Sequence, residues 1–199
     1  MRFLVILALL LSLRAYGGEI VLENDYVRVT RDAAPCALAH VAECVDRIIV
    51  ALGDVGLTAD GVRQTLARGD IAVFGAGQSY EPPVGGSFFE VSIKGNHPPA
   101  RSPGESIPPE KNALRYDGKD YFVFEEKLAP GDTRARHSHS QRVVIQLNQA
   151  SLQQWPDGEP SKLVETAPDH PAFSPPVIHT VKNIGDTPLR GIIIEFKPQ

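Results

Sequence analysis

The chain has 199 residues, with 20 Lys and Arg against 24 Asp and Glu and a formal net charge of −4. No basic block stands out, which excludes nucleic acid and anionic lipid as the main partner. Two cysteines are too few for a disulfide framework, so apolar packing has to carry the fold.

Residues 1–17 read as a secretory signal peptide. Arg2 opens it, residues 3–13 are apolar apart from Ser12, and Ala15-Tyr16-Gly17 puts small residues at the −3 and −1 positions of a cleavage site. The apolar run is short for a membrane span, which takes about 20 residues. The expectation is a secreted or periplasmic protein with no stable membrane association after cleavage. The mature chain then begins near Gly18, with 18 basic residues against 24 acidic ones. Its length suits one compact domain or two small fused ones. An oxidising compartment allows Cys36 and Cys44 to pair, but seven extended residues would hold them too far apart unless the chain bends. From the sequence the pairing stays open.

Strand signals follow at residues 26–30, 46–52, 69–75, 88–93, 121–128, 142–147 and 190–196. These runs are short, β-branched or aromatic, and bounded by turn residues. No long 3.6 period occurs, and the one helix-like run, 111–114, is too brief to matter. The composition predicts an all-β sandwich or barrel.

The chain also repeats itself. With residue n placed over n+95, Asp25-Tyr26 falls on Asp120-Tyr121, Ala34-Pro35 on Ala129-Pro130, Arg47 on Arg142 and Leu52 on Leu147. Farther on the offset grows to about 100. Two β modules follow, 18–95 and 116–199, joined by a stiff Pro-rich linker at 96–115. The modules are expected to pack edge to edge or face to face, because each leaves strand edges that need covering.

The chemistry gathers in the second module. His137 and His139, one residue apart on a strand, share a face. His179, from a distant strand, completes a metal face. Three neutral imidazoles suit one divalent transition metal and leave coordination positions open. They bring no negative charge, which favours an anionic ligand or a hydroxide.

The surrounding pattern resembles the cupin superfamily. Its first motif is a glycine, five residues, His-x-His, three or four residues and a glutamate. Here Gly131 is followed by His137-Ser138-His139. Its second motif ends in a histidine with an asparagine four residues on, here His179 and Asn183. The resemblance implies two tandem cupin-like (jelly-roll, double-stranded β-helix) barrels, similar to the bicupins. His137, His139 and His179 match the ligands, and Asn183 matches the structural asparagine. The glutamate falls on Val143 or Val144, so the family's fourth protein ligand is missing. Some cupin relatives bind iron through three histidines alone, whereas oxalate and germin-like chemistry depends on the carboxylate. In the first module Ala42, Cys44 and Ser79 stand where the histidines would be, so only the second carries the metal motif.

Strand alternation places His137, His139, Gln141, Val143, Ile145 and Leu147 on one face, read as a barrel interior. Gln141 is assigned a catalytic role, orienting a metal-bound water or a substrate oxygen. Arg134 and Arg136 have the opposite parity and read as solvated cover. Arg142, which recurs as Arg47, reads as a structural contact. His170 reads as an exposed loop residue. Glu125 and Glu126 face opposite ways and make no acid/base pair, and no nucleophile elbow, P-loop or dinucleotide fingerprint occurs.

The reading with most support is an exported metal-dependent oxygenase acting on a small organic acid or aromatic. Fe(II) is favoured, with Zn, Mn, Ni and Cu compatible, and the small-molecule partner is expected to be anionic. A non-catalytic small-molecule-binding module and a structural β protein with relic histidines are the alternatives. Homo-oligomerisation is left open.

Overall fold

The computed structural model describes residues 18–36, 43–98 and 112–197. The expected signal peptide, Ala42 and most of the Pro-rich linker lie outside the described residues. Strands are numbered in chain order. A five-stranded sheet runs in the order β1 (Glu19–Glu23), β2 (Val27–Arg31), β8 (Phe88–Ile93), β3 (Arg47–Ala51) and β6 (Ile71–Phe74). It is paired with a three-stranded sheet, β5 (Val62–Leu66), β4 (Val55–Ala59) and β7 (Val84–Gly85). A second five-stranded sheet runs β15 (His170–Ser174), β12 (Arg142–Gln146), β17 (Leu189–Phe196), β10 (Tyr121–Leu128) and β9 (Asn112–Asp117). Its companion is the four-stranded sheet β11 (Thr133–His139), β16 (Val177–Asn183), β13 (Ala150–Pro156) and β14 (Lys162–Thr166). The architecture is all-β, two jelly-roll barrels in tandem.

The sequence register of 95 reappears in the hydrogen bonds. Leu52 N–H donates to Ser87 O, and Leu147 N–H donates to Arg190 O. Ile93 N–H donates to Asp46 O, and Phe196 N–H donates to Gln141 O. Gly69 N–H donates to Ala51 O, and Asp169 N–H donates to Gln146 O.

The two five-stranded sheets pack face to face. Val27, Val29, Ile48, Val50, Phe89 and Val91 of one share a single core with Tyr121, Val123, Val143, Ile145, Ile192 and Ile194 of the other. The alternate residues face inward: Ile49, Ala51 and Phe88 pack with Val55 and Leu57 inside the first barrel. Sheets buried on both faces read as unbroken apolar runs, which is why residues 47–51 and 192–194 carry no polar alternation. Each fully buried Val or Ile contributes about 1.5–3 kcal/mol of transfer free energy.

All seven predicted strands are present, with bounds shifted by at most two residues. The strands that escape the sequence reading are mostly exposed, such as β5 and β14, where burial leaves no apolar pattern. The hairpin between β4 and β5 does carry a signal, Asp60-Gly61, whose φ values of 50° and 74° suit a type I′ turn. Residues 112–114 are strand β9, paired with β10, so the second sheet pair begins inside the stretch read as linker and helix-like run. Cys36 and Cys44 form a disulfide across a Cα separation of 6.0 Å, so the chain does bend between them.

Candidate metal centre

Two strands set the histidines. β11 and β16 pair antiparallel, with His137 directly opposite His179 and His139 opposite Val177. At the start of β11, Asp132 N–H donates back to Ala129 O across a turn whose third residue is Gly131, at φ +80°. A type II turn requires that conformation, and glycine adopts it without a Cβ clash. Asn183 ties down the end of β16. Its Nδ2 donates to Leu128 O (2.9 Å) and Thr187 O (2.8 Å), and its Oδ1 accepts from Gly185 N–H.

The three imidazoles converge. All three residues are buried, and one ligand nitrogen from each lies within 4.8 Å of the others. His137 Nδ1 stands 2.7 Å from Ala135 O, an acceptor only, so Nδ1 carries the hydrogen and Nε2 the lone pair. His139 Nδ1 stands 2.7 Å from Glu195 Oε2, while Glu195 Oε1 accepts from Ser140 N–H at 2.7 Å. His139 Nε2 then faces His137 Nε2 at 3.2 Å. Both nitrogens of His179 are buried without a hydrogen-bond partner among the described residues. Converging buried lone pairs with no proton donor are unfavourable for a protein alone and are what a divalent cation satisfies. The donor set fits a metal.

Electrostatics keep the imidazoles neutral. Burial, reinforced by the Arg134 charge, holds His137 down to about 4. Burial with His137 and Arg142 nearby holds His179 down to about 3. His139 is lowered too, by burial and then by Arg142. Burial pushes the Glu195 carboxyl up to about 7 against the pull of Ser140 N–H and Arg142. Neutral imidazole is the form that binds metal.

Three expectations about neighbouring residues are corrected. Arg134 is not solvated: it is 1% exposed and paired with Glu126. The β11–β16 register shifts between Arg134 and His137, and that bulge reverses the parity, turning both side chains inward. Arg136 does remain exposed, paired with Asp157. Second, the face through residues 137–147 is not continuous. β11 and β12 belong to different sheets, and the chain switches between them at Ser140-Gln141. Beyond the switch Val143, Ile145 and Leu147 face the first barrel, while Arg142, Val144 and Gln146 line a cavity of about 450 Å³ in the second. Gln141 is not among the cavity's lining residues; its carbonyl accepts from Phe196 N–H and its Oε1 is buried without a partner. Third, His170 is exposed but stands at the start of β15 and lines the cavity.

His139 and His179 line the same cavity, with apolar walls from Leu152, Val164, Val181 and Ile193. Glu126 lines it as well, while Glu125 points the other way to Arg190, Arg115 and Lys127, as strand parity requires. Glu195 is the functional residue that the sequence did not reveal. Its only signal was an acid within the apolar run of β17, at the position directly opposite Arg142. In the first barrel Cys44 is held in the disulfide, and Ser79 Oγ donates to Cys36 O.

No family model matches the chain, and no curated protein matches it. Among solved structures it is similar to AerE from Microcystis aeruginosa, with 16% identity over 90% of this chain and 91% of that one and a TM-score of 0.58. It is similar to a cupin 2 conserved barrel domain protein from Leptotrichia buccalis, with 13% identity, 91% and 88% coverage and a TM-score of 0.55. It is also similar to oxalate decarboxylase from Bacillus subtilis, with 12% identity, 88% and 70% coverage and a TM-score of 0.53. These likenesses define the fold as a cupin fold. The chain thus has a cupin fold carrying a buried three-histidine cluster whose donor atoms could hold a metal.

Proposed function

We propose that this protein is an exported cupin metalloprotein in which His137, His139 and His179 hold one divalent transition metal. Fe(II) is preferred over Zn, Mn, Ni or Cu, and the reaction is the oxygenation of a small organic acid or aromatic. The observation that carries this reading is the convergence of three buried imidazoles in which both nitrogens of His179 have no hydrogen-bond partner among the described residues. Nitrogen-only ligation with open positions suits Fe(II) oxygen chemistry, although facial sites of that kind often include a carboxylate. Here Val143 or Val144 stands where the family's glutamate would, and of the two Val144 lines the cavity. The oxalate decarboxylase that the fold resembles has Mn(II) centres, so manganese is the comparison metal. Export is supported by the N-terminal pattern and by the disulfide, which persists in an oxidising compartment. The recurrent hydrogen bonds support a duplicated unit whose first copy has lost its ligands.

When bound, the metal supplies redox and Lewis-acid chemistry. The chain supplies the setting. Ala135 O and Glu195 fix the tautomers of His137 and His139 and aim their Nε2 atoms at one point. The aliphatic side of the cavity offers an apolar surface to the bound ligand. The Arg134–Glu126 pair puts a buried guanidinium and a partly buried carboxylate beside the site at no net charge.

The test is to load the metal-free protein anaerobically with Fe(II) or Mn(II) and follow O₂ uptake across a panel of small carboxylic acids and phenols. Substrate-dependent uptake with Fe(II), lost in His179→Ala, is expected. Saturable ligand binding without uptake under either metal would overturn the oxygenase and leave a binding module.

A further inference from the structure

Arg142 is 8% exposed and lines the cavity with His139 and His179. Among the described residues its hydrogen bonds run from one nitrogen only. Nη1 donates to Ser140 O at 3.1 Å and to Pro175 O at 2.8 Å. Those two carbonyls pin the guanidinium where β11 passes into β12 and β15 passes into β16. Nε and Nη2 make no hydrogen bond to any described residue, and neither is sealed away as a buried orphan. No carboxylate of the described residues is within ion-pair distance; Glu195 and Glu126 act on Arg142 only through space. The contrast with the other buried arginines is sharp. Arg134 is matched by Glu126. Arg47, its counterpart in the first barrel, has Glu90 at 3.9 Å, and Tyr80 O–H closes that network by donating to Glu90. In the second barrel the position of Glu90, opposite Ile49, is taken by Ile193, opposite Val144, and Ile193 lines the cavity.

A buried guanidinium with no direct ion pair and a free Nε–Nη2 edge is costly unless something anionic completes it. A carboxylate completes it bidentately. One side of the remaining wall, Val144, Leu152, Val164, Val181 and Ile193, is aliphatic, while the other carries polar groups that include Glu126, Glu159, Glu165 and Lys162. We infer that Arg142 is the carboxylate-binding residue of this cavity and that its ligand is a monocarboxylic acid with an apolar aliphatic or aromatic body. This deepens the proposed function and rests on its reading of the cavity as the substrate site. It does not require the metal. The volume of about 450 Å³ falls in the range of small-ligand sites. A fully polar diacid would leave the aliphatic wall unfilled.

The experiment is calorimetric titration of the full mature chain, metal-free and metal-loaded, with phenylacetate, benzoate and 3-methylbutanoate, each beside its own amide. Metal content is measured on every sample. At least one acid is expected to bind about tenfold or more tightly than its amide. That preference is expected to vanish in Arg142→Gln with metal content unchanged. Because Arg142 also ties two carbonyls, a variant-free readout runs in parallel. In ¹⁵N-arginine-labelled wild type, the buried Nε–H resonance is expected to shift with the acid and stay still with the amide. No acid binding above its amide, or an unmoved resonance, overturns the inference. An acid preference in protein that takes up no metal would uphold it while refuting the metal reading.

Discussion

Glu195→Gln isolates the group that aims a metal ligand. The carboxylate is 5% exposed and accepts twice, from Ser140 N–H and from His139 Nδ1–H, each at 2.7 Å. A carboxamide has one oxygen. If that oxygen stays on Ser140, the amide NH₂ meets His139 Nδ1. The imidazole must then move its hydrogen to Nε2, which already lies 3.2 Å from His137 Nε2, and the metal-facing lone pair is lost. If the oxygen turns to His139, the Ser140 N–H is left buried and unpaired. Either outcome costs about 1–3 kcal/mol, which is roughly fivefold to a hundredfold in affinity at about 1.4 kcal/mol per decade. That agrees with the range of about 10–100-fold expected for removing a partner of a metal-bound imidazole. The assay is competition for Zn(II) against a chromogenic chelator at about pH 7.5, with circular dichroism on the metal-free variant to verify the fold. A folded variant whose affinity lies within about twofold of wild type would refute the reasoning.

The metal-free protein should lose stability in acid. Burial holds His137 at about 4 and His179 at about 3, below the ordinary 6.5, so the unfolded chain binds more protons between these values and stability falls as pH drops through that window. Glu195, raised to about 7 from 4.5, acts oppositely; its contribution is complete below 4.5 and lost as pH rises through 7. The imidazoles outnumber it, so the urea midpoint should be lower at about pH 5 than at about pH 6.5, and an equal or higher midpoint at the acid value contradicts the account. Ile145→Ala, in the shared core, should cost about 2–5 kcal/mol in denaturant titration. Val144→Ala, on the cavity wall, should cost less and alter ligand affinity instead; the reverse order would contradict the observed parity. Replacing Cys36 and Cys44 by serine should cost about 2–3 kcal/mol for so short a loop, read as the difference between oxidised wild type and the double variant. A loss below about 0.5 kcal/mol would mean the bridge does not constrain the unfolded chain.

Much of this molecule was legible in the sequence, for physical reasons that also explain the errors. Strands β3, β8, β10, β12 and β17 lie in five-stranded sheets buried on both faces, so their apolar runs announce themselves. The histidines and Asn183 were legible because short local spacings fix them: two residues apart on β11, four apart on β16. Arg134, Gln141 and Val143 were misplaced because parity counts fail where backbone geometry changes. A bulge at Ala135-Arg136 and a sheet switch at Ser140-Gln141 each reverse which residues face inward, and neither leaves a composition signal. Glu195 was invisible because its partners, His139 and Ser140, lie more than fifty residues away in the chain. The disulfide was undecided because pairing across eight positions depends on a bend that the intervening sequence does not dictate.

The central claim is that His137, His139 and His179 form a metal site. The most direct measurement is elemental analysis of the mature protein, purified without a histidine tag, beside the triple alanine variant of those residues. About one equivalent of a transition metal in the wild type, absent from the folded variant, is the predicted result. No metal in the wild type, even after reconstitution with Fe(II), Mn(II), Zn(II), Ni(II) and Cu(II), would contradict the account.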